Sequence, residues 1–361
     1  MSKRVFAQGR CGLPQKLARP AFRARLLQMA QPLLIPRPEG LYCPLGDFHI
    51  DPSRPVARAL ITHGHADHAR AGHGAVLATR QTLDIMAIRY GAEFTGQRQV
   101  YEGPLRIGQT EVRFHPAGHV LGSAQIAVTA QGTRIVASGD YARRATPSCA
   151  PFEPVACDIF ITEATFALPV FRHPDPRVEI AKLLASVKSE PERPHLVGAY
   201  ALGKAQRVIA LLRAAGYDAP IYIHGALQAL CDYHIAQGIA LGDLRPATMD
   251  KTEARALREA IVIAPPSAFG SAWVQRFSDP VISFASGWMQ IRARARQRGV
   301  ELPLVISDHV DWDELTSTVE EIDPAELWIT HGREEALMRW AALHQRVARP
   351  LGLVGYEEEP E

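Results

Sequence analysis

The stretch ALITHGHADH, residues 59–68, decides the fold prediction for this chain of 361 residues. The apolar run VARALIT, which ends at Thr62, is predicted to be a buried strand, and His63, His65, Asp67 and His68 follow it directly. Imidazole and carboxylate are the ligands that suit zinc and related divalent ions. A His-x-His step in an extended segment lets both rings point the same way, because side chains alternate there. We therefore predict a metal-binding loop, with a helix beginning after it.

Three later segments have the same form, an apolar stretch that ends in one ligand-type residue. They are PAGHVLGS with His119, IVASGD with Asp140 and LWITHG with His331. A carboxylate such as Asp140 can bridge two ions, so these residues predict a site for two divalent ions. One half-site is His63, His65, His119 and Asp140, and the other is Asp67, His68, Asp140 and His331. Zn²⁺ is the expected metal from the ligand types, with Mn²⁺ as the alternative.

The length predicts two lobes, because single cores stop growing at roughly 250–300 residues. From about Leu41 to Thr165 short apolar runs alternate with turn residues, which is typical of strands. From about Val178 strands alternate with longer helical patterns, which indicates a parallel sheet with helical crossovers. The later segments LPLVISDH and ELWITHGR return to the first pattern. The α/β segment is therefore predicted to be inserted into the first lobe.

Composition excludes several classes of protein. With 47% hydrophobic and 22% charged residues the chain is typical of globular proteins, and no apolar run reaches the ~18–20 residues of a membrane span. The five cysteines form no CxxC pair and are interpreted as reduced thiols, which predicts a cytoplasmic protein. No GxxxxGK[ST] loop is present, so no ATP dependence is expected.

Charge is uneven along the chain although the net charge is only +2. Residues 1–40 carry many basic side chains and one acid, Glu39, whereas the chain closes on a run of glutamates. A basic arm could track a phosphate backbone by releasing counterions. Two different interpretations of this segment are an unordered extension, or a start codon placed too early with Met29 as the true first residue.

The motifs HGHADH, AGHVLGS and SGD resemble the successive metal motifs of the metallo-β-lactamase superfamily. ITEAT with Glu163, ISDH with His309 and ITHG with His331 resemble the three further motifs of its β-CASP nuclease branch. The resemblance runs from about Leu34 to Leu353. It implies an α/β fold in which a metallo-β-lactamase αββα sandwich holds an inserted β-CASP domain, a parallel sheet flanked by helices. The implied division is a basic arm (1–33), the first part of the sandwich (34–177), the insertion (178–290) and the rest of the sandwich (291–361).

The resemblance also implies roles for residues that spacing alone does not assign. Asp51 would support the metal loop, with Asp47 as the alternative, and Glu163 would orient His309 as the general acid beside the metal-binding carboxylates Asp67 and Asp140. Ser286 and Gly287 in FASGW resemble the small-residue turn near the substrate in this branch. Independently of the resemblance, the GKAQR helix start, where Gly203 opens a helix carrying Lys204 and Arg207, could offer backbone amides and charge to a phosphate. An equal alternative for Lys204 and Arg207 is a solvated helix face. Trp273 and Trp288 could stack bases, although core packing is the expectation for both.

Within the branch, the length, the opening LYCPLGDFHIDP and the absence of a C-terminal RNA-binding extension resemble bacterial DNA ligase-associated exonucleases. This resemblance implies a nuclease acting in DNA repair, on DNA rather than RNA, with a DNA ligase and a helicase as possible partners. His331 resembles instead the version found in RNA-processing members, so an RNA-processing nuclease stays open. A hydrolase of small acyl substrates and a non-catalytic binding subunit are the hypotheses from different functional classes.

Overall fold

The computed structural model describes residues 32–248 and 250–352. Most of the predicted basic arm, Met29 and the glutamate-rich end lie outside these residues. Within the described ranges, no helix is both long enough and apolar enough to cross a membrane.

The first sheet has six strands in chain order. Its first three strands pair antiparallel and the rest pair parallel. The strands are β1 (Ile35–Arg37), β2 (Gly40–Cys43), β3 (Phe48–Ile50), β4 (Arg58–Leu60), β5 (His73–Ala78) and β6 (Thr95–Val100).

The second sheet has seven strands and joins chain segments that precede and follow the inserted lobe. Its members are β7 (Leu105–Ile107), β8 (Thr110–Pro116), β9 (Ala124–Ala130), β10 (Thr133–Ala137), β11 (Ile159–Ala164), β18 (Glu326–Gly332) and β19 (Ala348–Pro350). Strand β11 pairs with both β10 and β18 in parallel, so the late strand lies beside one that precedes it by about 165 residues. The segment between them is therefore an insertion in space as well as in sequence.

The two sheets pack face to face, because alternate residues of their strands are apolar and buried. Phe48 and Leu60 from the first sheet lie in one core cluster with Ile126, Ile135 and Ile161 from the second. The outer face of the first sheet is covered by helix α1 (Arg80–Tyr90), and that of the second by α7 (Trp312–Ile322) and α8 (Glu334–Leu343). This order of layers is the predicted αββα sandwich, which is confirmed.

The inserted lobe is built on a third, wholly parallel sheet with the order β14-β13-β15-β12-β16-β17. Its strands are β12 (His195–Gly198), β13 (Ile221–Ile223), β14 (Leu244–Pro246), β15 (Ile261–Ala264), β16 (Val281–Ala285) and β17 (Leu302–Leu304). Helices α2 (Pro176–Ser189), α3 (Lys204–Ala214) and α4 (Gly225–Ala236) pack on one face. Helix α5 (Lys251–Ala256) and two of the three short 3-10 helices, Pro266–Gly270 and Val274–Arg276, pack on the other.

The structure corrects the predicted end of the insertion at residue 290. Strand β17 pairs with β16, so the inserted lobe extends to Leu304. It therefore also contains the third 3-10 helix, Gly287–Gln290, and helix α6 (Arg292–Gln297). The segment LPLVISDH was expected to return to the first lobe. Its strand instead completes the inserted sheet, and only the residues after it cross back to the sandwich.

A second correction concerns the residues after HGHADH, which form turns rather than the predicted helix. The carbonyl oxygen of His65 accepts hydrogen bonds from the amides of His68 and Ala69, which closes the loop on itself before β5 begins. Helices α4, α6, α7 and α8 lie in segments for which the sequence predicted no element. Helix α7 has a clear local signal, since Asp311 and Glu314 form a reciprocal capping box at its start.

Candidate metal centre

The loops that leave the sandwich at one edge carry the predicted donor residues. His63 to His68 follow β4, His119 lies between β8 and β9, Asp140 follows β10, and His331 lies near the end of β18. The carboxyl ends of parallel strands meet at the same edge of a sheet, which brings residues distant in sequence together. Gly139 before Asp140 has a φ of 57°, and a side chain there would collide with Thr62.

The first donor group consists of His63, His65, His119 and Asp140, whose ligand atoms all lie within 4.8 Å of one another. Nδ1 of His65 lies 3.1 Å from Nε2 of His63 and 3.0 Å from Nε2 of His119. Oδ2 of Asp140 lies 3.4 Å from Nε2 of His63 and 3.7 Å from Nε2 of His119. For a tetrahedral ion with ligands about 2.0–2.1 Å away, neighbouring donor atoms stand about 3.3 Å apart. These four residues therefore fit one divalent cation.

The second donor group shares Asp140 with the first. Oδ1 of Asp140, the oxygen turned away from the first group, lies 3.5 Å from Nε2 of His68. Oδ2 of Asp67 lies 3.6 Å from the same nitrogen, and the ligand atoms of His68, Asp140 and His331 form a second compact group. One carboxylate thus offers one oxygen to each group, which is the arrangement of a bridging ligand.

Hydrogen bonds to the second ring nitrogen orient these histidines. Nδ1 of His68 lies 2.8 Å from Asp51, Nδ1 of His119 lies 2.8 Å from the carbonyl oxygen of Asp308, and Nδ1 of His63 lies 3.0 Å from the hydroxyl of Thr62. Each ring is left with Nε2 toward the shared centre, as in protein metal sites where outer partners set the tautomer. In His65 the roles are reversed, since Nε2 lies 3.2 Å from the carbonyl oxygen of Leu202 and Nδ1 faces the centre.

Asp51 occupies the supporting position predicted for it. Besides His68, its carboxylate accepts hydrogen bonds from the backbone amide (2.7 Å) and the hydroxyl (2.6 Å) of Thr62, the residue before the metal loop. Asp47, the alternative, is exposed and accepts a hydrogen bond from Tyr42. The geometry therefore favours Asp51.

Burial sets the protonation of the donor histidines. It lowers the pKa of His63 and His119 well below the ordinary 6.5, and that of His331 to about 3, so these rings are neutral and can each offer a lone pair. Burial also acts to lower the pKa of His68, but the carboxylates of Asp140 and Asp67 outweigh it and raise the value to about 10. A cation at the same place would replace that proton, because both neutralise the same carboxylates.

A carboxylate–imidazole pair faces the donor groups. Nδ1 of His309 lies 2.8 Å from Oε2 of Glu163, and the His309 ring lies 4.7 Å from that of His119, centroid to centroid. Glu163 is buried in β11 and also accepts hydrogen bonds from the amide of Tyr141 and the hydroxyl of Thr165. Burial acts to lower the pKa of His309, but Glu163 and then Asp140 outweigh it and raise the value to about 10. His309 is therefore a cation whose Nε2 can donate a proton.

The structure contradicts one of the two interpretations of the GKAQR helix start. Lys204 and Arg207 are both buried, so the solvated helix face is wrong for both. The ammonium group of Lys204 lies 2.5 Å from a carboxylate oxygen of Asp308, and the guanidinium of Arg207 donates to the carbonyl oxygens of Gly118 and His119. Arg207 thus supports the His119 loop from within the protein.

Asp308 is a residue of the site that the sequence analysis missed. It precedes His309 directly, its carbonyl oxygen holds His119, and its carboxylate lies 3.8 Å from Nε2 of His309. Burial alone would raise its pKa, but Lys204 and the neighbouring histidines hold it well below the usual range. The only sequence signal was its place inside the ISDH motif.

A pocket of about 450 Å³ opens over these groups between the two lobes. The sandwich contributes metal donors and His309, and the inserted lobe contributes Ser286, Gly287 and Trp288. The predicted substrate residues Ser286 and Gly287 thus line the same cavity as the donors, as does Lys204. Trp273 packs in the core of the inserted lobe, as expected. Trp288, for which core packing was also expected, borders the pocket.

Comparison with known proteins gives relatives but no matching family model. A "Probable DNA ligase" of Opitutus terrae is 28% identical over 84% of this chain and 30% of its own length. A "Ribonuclease TTHA0252" of Thermus thermophilus is 28% identical over 49% of this chain and 48% of its own length. A "Cleavage and polyadenylation specificity factor subunit 3" of Dictyostelium discoideum is 32% identical over 32% of this chain and 16% of its own length. The chain thus spans less than half the length of each of these relatives.

Among solved structures, a protein of unknown function from Enterococcus faecalis has a TM-score of 0.52 at 12% identity, over 77% of this chain and 76% of that one. This likeness concerns the fold alone. The motif set, the sandwich with its inserted parallel sheet and the nuclease relatives agree with one another. In these respects the chain is similar to the β-CASP nuclease branch of the metallo-β-lactamase superfamily.

Proposed function

We propose that this protein is a metal-dependent phosphodiesterase that hydrolyses nucleic acid, as an exonuclease of DNA repair that works with a DNA ligase. The observation that carries the proposal is the pair of Glu163 and His309 facing a donor set for two cations across one pocket. A set of metal ligands alone suits acyl as well as phosphoryl substrates. A fixed proton donor opposite the ligands is what a poor leaving group, such as a sugar alkoxide, requires.

The seven donor residues would hold two divalent cations, Zn²⁺ or Mn²⁺, which would make water nucleophilic near neutral pH and neutralise charge on the scissile phosphate. The other contributions come from the chain itself. Asp67, His65 and His331 form one wall of the pocket, and the scissile phosphate is positioned against this wall. As the water oxygen bonds to phosphorus and releases a proton to solvent, the bond to the sugar oxygen breaks and Nε2 of His309 donates its proton to that leaving oxygen; His309 then takes up a proton from solvent. Glu163 holds the ring by Nδ1 and stabilises its charge.

Ser286 and Gly287 line the inserted-lobe wall of this pocket and are proposed to contact the substrate. Lys204 also lines the pocket, with its charge directed to Asp308, and is proposed to act on the substrate through that carboxylate and His309. Arg207 does not line the pocket. Its proposed role is to hold the His119 loop in place.

The preference for DNA is supported by the relative named a probable DNA ligase, which matches 84% of this chain. The relatives named ribonucleases match smaller parts, with 49% for the Thermus thermophilus protein. An RNA-processing role is the second candidate, since those names and the presence of His331 favour it. A helicase or ligase partner is proposed on the family resemblance.

The test offers labelled single-stranded DNA and RNA of one sequence, in equal amounts, to the purified protein with Zn²⁺ or Mn²⁺. Progressive shortening of DNA with RNA spared, lost in His309→Ala, is the expected result. His115→Ala is the matched control, because His115 also pairs with a glutamate, Glu153, at 3.1 Å but lies outside the pocket. Preferential cleavage of RNA would select the RNA-processing candidate, and cleavage of neither would refute the proposal.

A further inference from the structure

An aromatic cluster formed by residues of both lobes lies at the pocket wall. Trp288 lies in the 3-10 helix Gly287–Gln290 that follows β16, and its ring lies 4.8 Å from that of Phe166 and 5.1 Å from that of Phe171, centroid to centroid. Phe166 and Phe171 come from the sandwich segment between β11 and α2. The indole of the inserted lobe therefore packs against two rings of the sandwich.

The guanidinium carbon of Arg294 lies 4.0 Å from the centroid of the Trp288 ring. Arg294 belongs to helix α6, whose sequence RARARQ places an arginine at every second position. With 3.6 residues per turn, Arg292 and Arg296 lie on nearly the same side of this helix, and Arg294 lies on the other. Exposure agrees, because Arg294 is half-buried and lines the pocket, whereas Arg292 and Arg296 are more exposed and do not line it.

Lys204, Arg294, His309 and Arg333 are the cationic side chains that line the pocket. Lys204 is paired with Asp308 and His309 with Glu163, so both of these charges are directed toward carboxylates of the site. Arg294 is held against an aromatic ring. A guanidinium lying on an aromatic ring keeps its N–H donors in its own plane, in a fork that matches the oxygens of a phosphate.

We propose that Arg294, held by Trp288, binds a backbone phosphate of the substrate strand next to the scissile phosphate. The inference rests on the proposed nuclease function and assigns the inserted-lobe side of the site to the neighbouring nucleotide. The metal donors and Arg294 line a single cavity, whose volume of about 450 Å³ lies in the range of sites that enclose a ligand. Arg294 is thus a substrate-binding residue, and Trp288 is a positioning residue.

The test measures binding, so that it does not depend on turnover. In a His309→Ala background with Mn²⁺ present, the affinity for a fluorescent single-stranded oligonucleotide is followed by anisotropy as salt is varied. Arg294→Gln is expected to weaken binding about tenfold, because charge-assisted hydrogen bonds are lost. The slope of log K against log salt is expected to fall by about 0.7, the amount for one single-strand phosphate. Arg296→Gln, with the same charge change on the same helix, is expected to weaken binding less than about twofold and to hydrolyse the oligonucleotide normally in the native background.

Two further variants separate contact from folding. Arg294→Lys keeps the charge but loses the planar fork, so an intermediate affinity with an unchanged salt slope is expected. Trp288→Leu is expected to weaken oligonucleotide binding. Its salt slope is expected to equal that of the protein with native Trp288, since the charge of Arg294 is still present. A thermal melt of each variant shows whether it is folded.

A walk of single uncharged methylphosphonate linkages along the oligonucleotide then locates the contact. At one linkage, methylphosphonate substitution is expected to lower the affinity of the protein with native Arg294. The same substitution is expected to leave the affinity of Arg294→Gln unchanged, which is the signature of coupled partners. Equal losses in Arg294→Gln and Arg296→Gln, or no coupled position, would overturn the inference. Failure of the nuclease proposal would show separately, as absence of cleavage by the native chain.

Discussion

Replacing Glu163 with Gln should make the activity depend on pH in a way that the native protein does not. Burial acts to lower the pKa of His309, and Glu163 makes the largest contribution among the groups that outweigh burial and raise this pKa to about 10. A group with a pKa of about 10 is about 99% protonated at pH 8, whereas one at its ordinary 6.5 is about 3% protonated. Because the donor must be protonated, Glu163→Gln should lower kcat on an oligonucleotide about 30-fold at pH 8 and less than about twofold at pH 6.

The sign follows from the direction of the shift. A raised pKa keeps the acid form present below it, so activity that needs this form is lost as pH rises through the value. The variant should therefore lose activity from about pH 6.5 upward, well before the native protein. Glu153→Gln, which alters the His115 pair outside the pocket, is the matched control and should show the native profile.

A change of leaving group gives the second arm of the same assay. 4-Nitrophenolate departs without a proton, so thymidine 5′-(4-nitrophenyl phosphate) should be hydrolysed by Glu163→Gln at nearly the native rate. His309→Ala should lose about 10²–10⁴-fold on the oligonucleotide and far less on the nitrophenyl ester. A native-to-variant ratio that stays constant from pH 6 to pH 8, or equal losses on both substrates, would refute the assignment of His309 as the acid.

Three other outcomes are expected. Asp140→Asn should lower the bound metal below two ions per chain in elemental analysis and reduce the fall in melting temperature that EDTA causes in the native protein, because one carboxylate serves both donor groups. Lys204→Met should destabilise the fold by about 3–5 kcal/mol in denaturant unfolding, since it leaves Asp308 buried without its ammonium partner; a loss below about 1 kcal/mol would contradict the buried pair. His73 is buried and burial lowers its pKa from 6.5 to about 4, so the native fold should lose on the order of 3 kcal/mol as pH falls from 6.5 to 4. His73→Asn should remove that part of the pH dependence, measured as unfolding free energy at the two pH values.

The sequence predicted the layers of the fold because each strand carries its own signal. Runs such as DIFITEAT and AQIAVTA became β11 and β9, and the change to alternating helix and strand after residue 178 marked the inserted lobe. The boundary at 290 was wrong because strand β17 is short, and nothing in LPLV says which of two sheets it joins. Pairing with β16 decides that, and pairing is a contact between distant segments.

The donor residues named from sequence are also those that the structure brings together. Each one follows an apolar run, and the ends of parallel strands meet at one edge, so residue type and position within the run were sufficient. Which oxygen of Asp140 faces which group, and which nitrogen of each histidine faces the centre, could not be predicted. Those choices depend on outer partners such as Asp51 and Asp308, which approach from other elements.

The residues on helix starts show the limit of reasoning from sequence. GKAQR and RARARQ both present cations at the start of a helix, but only the first of these helices was predicted from sequence. In the structure Lys204 and Arg207 are buried between the lobes, whereas Arg294 lies on Trp288 at the pocket wall. The metal-ligand residues of the site could be predicted from local sequence, because each of them directly follows an apolar run. The partners of its charges were decided by tertiary packing, because burial and pairing depend on segments more than a hundred residues apart.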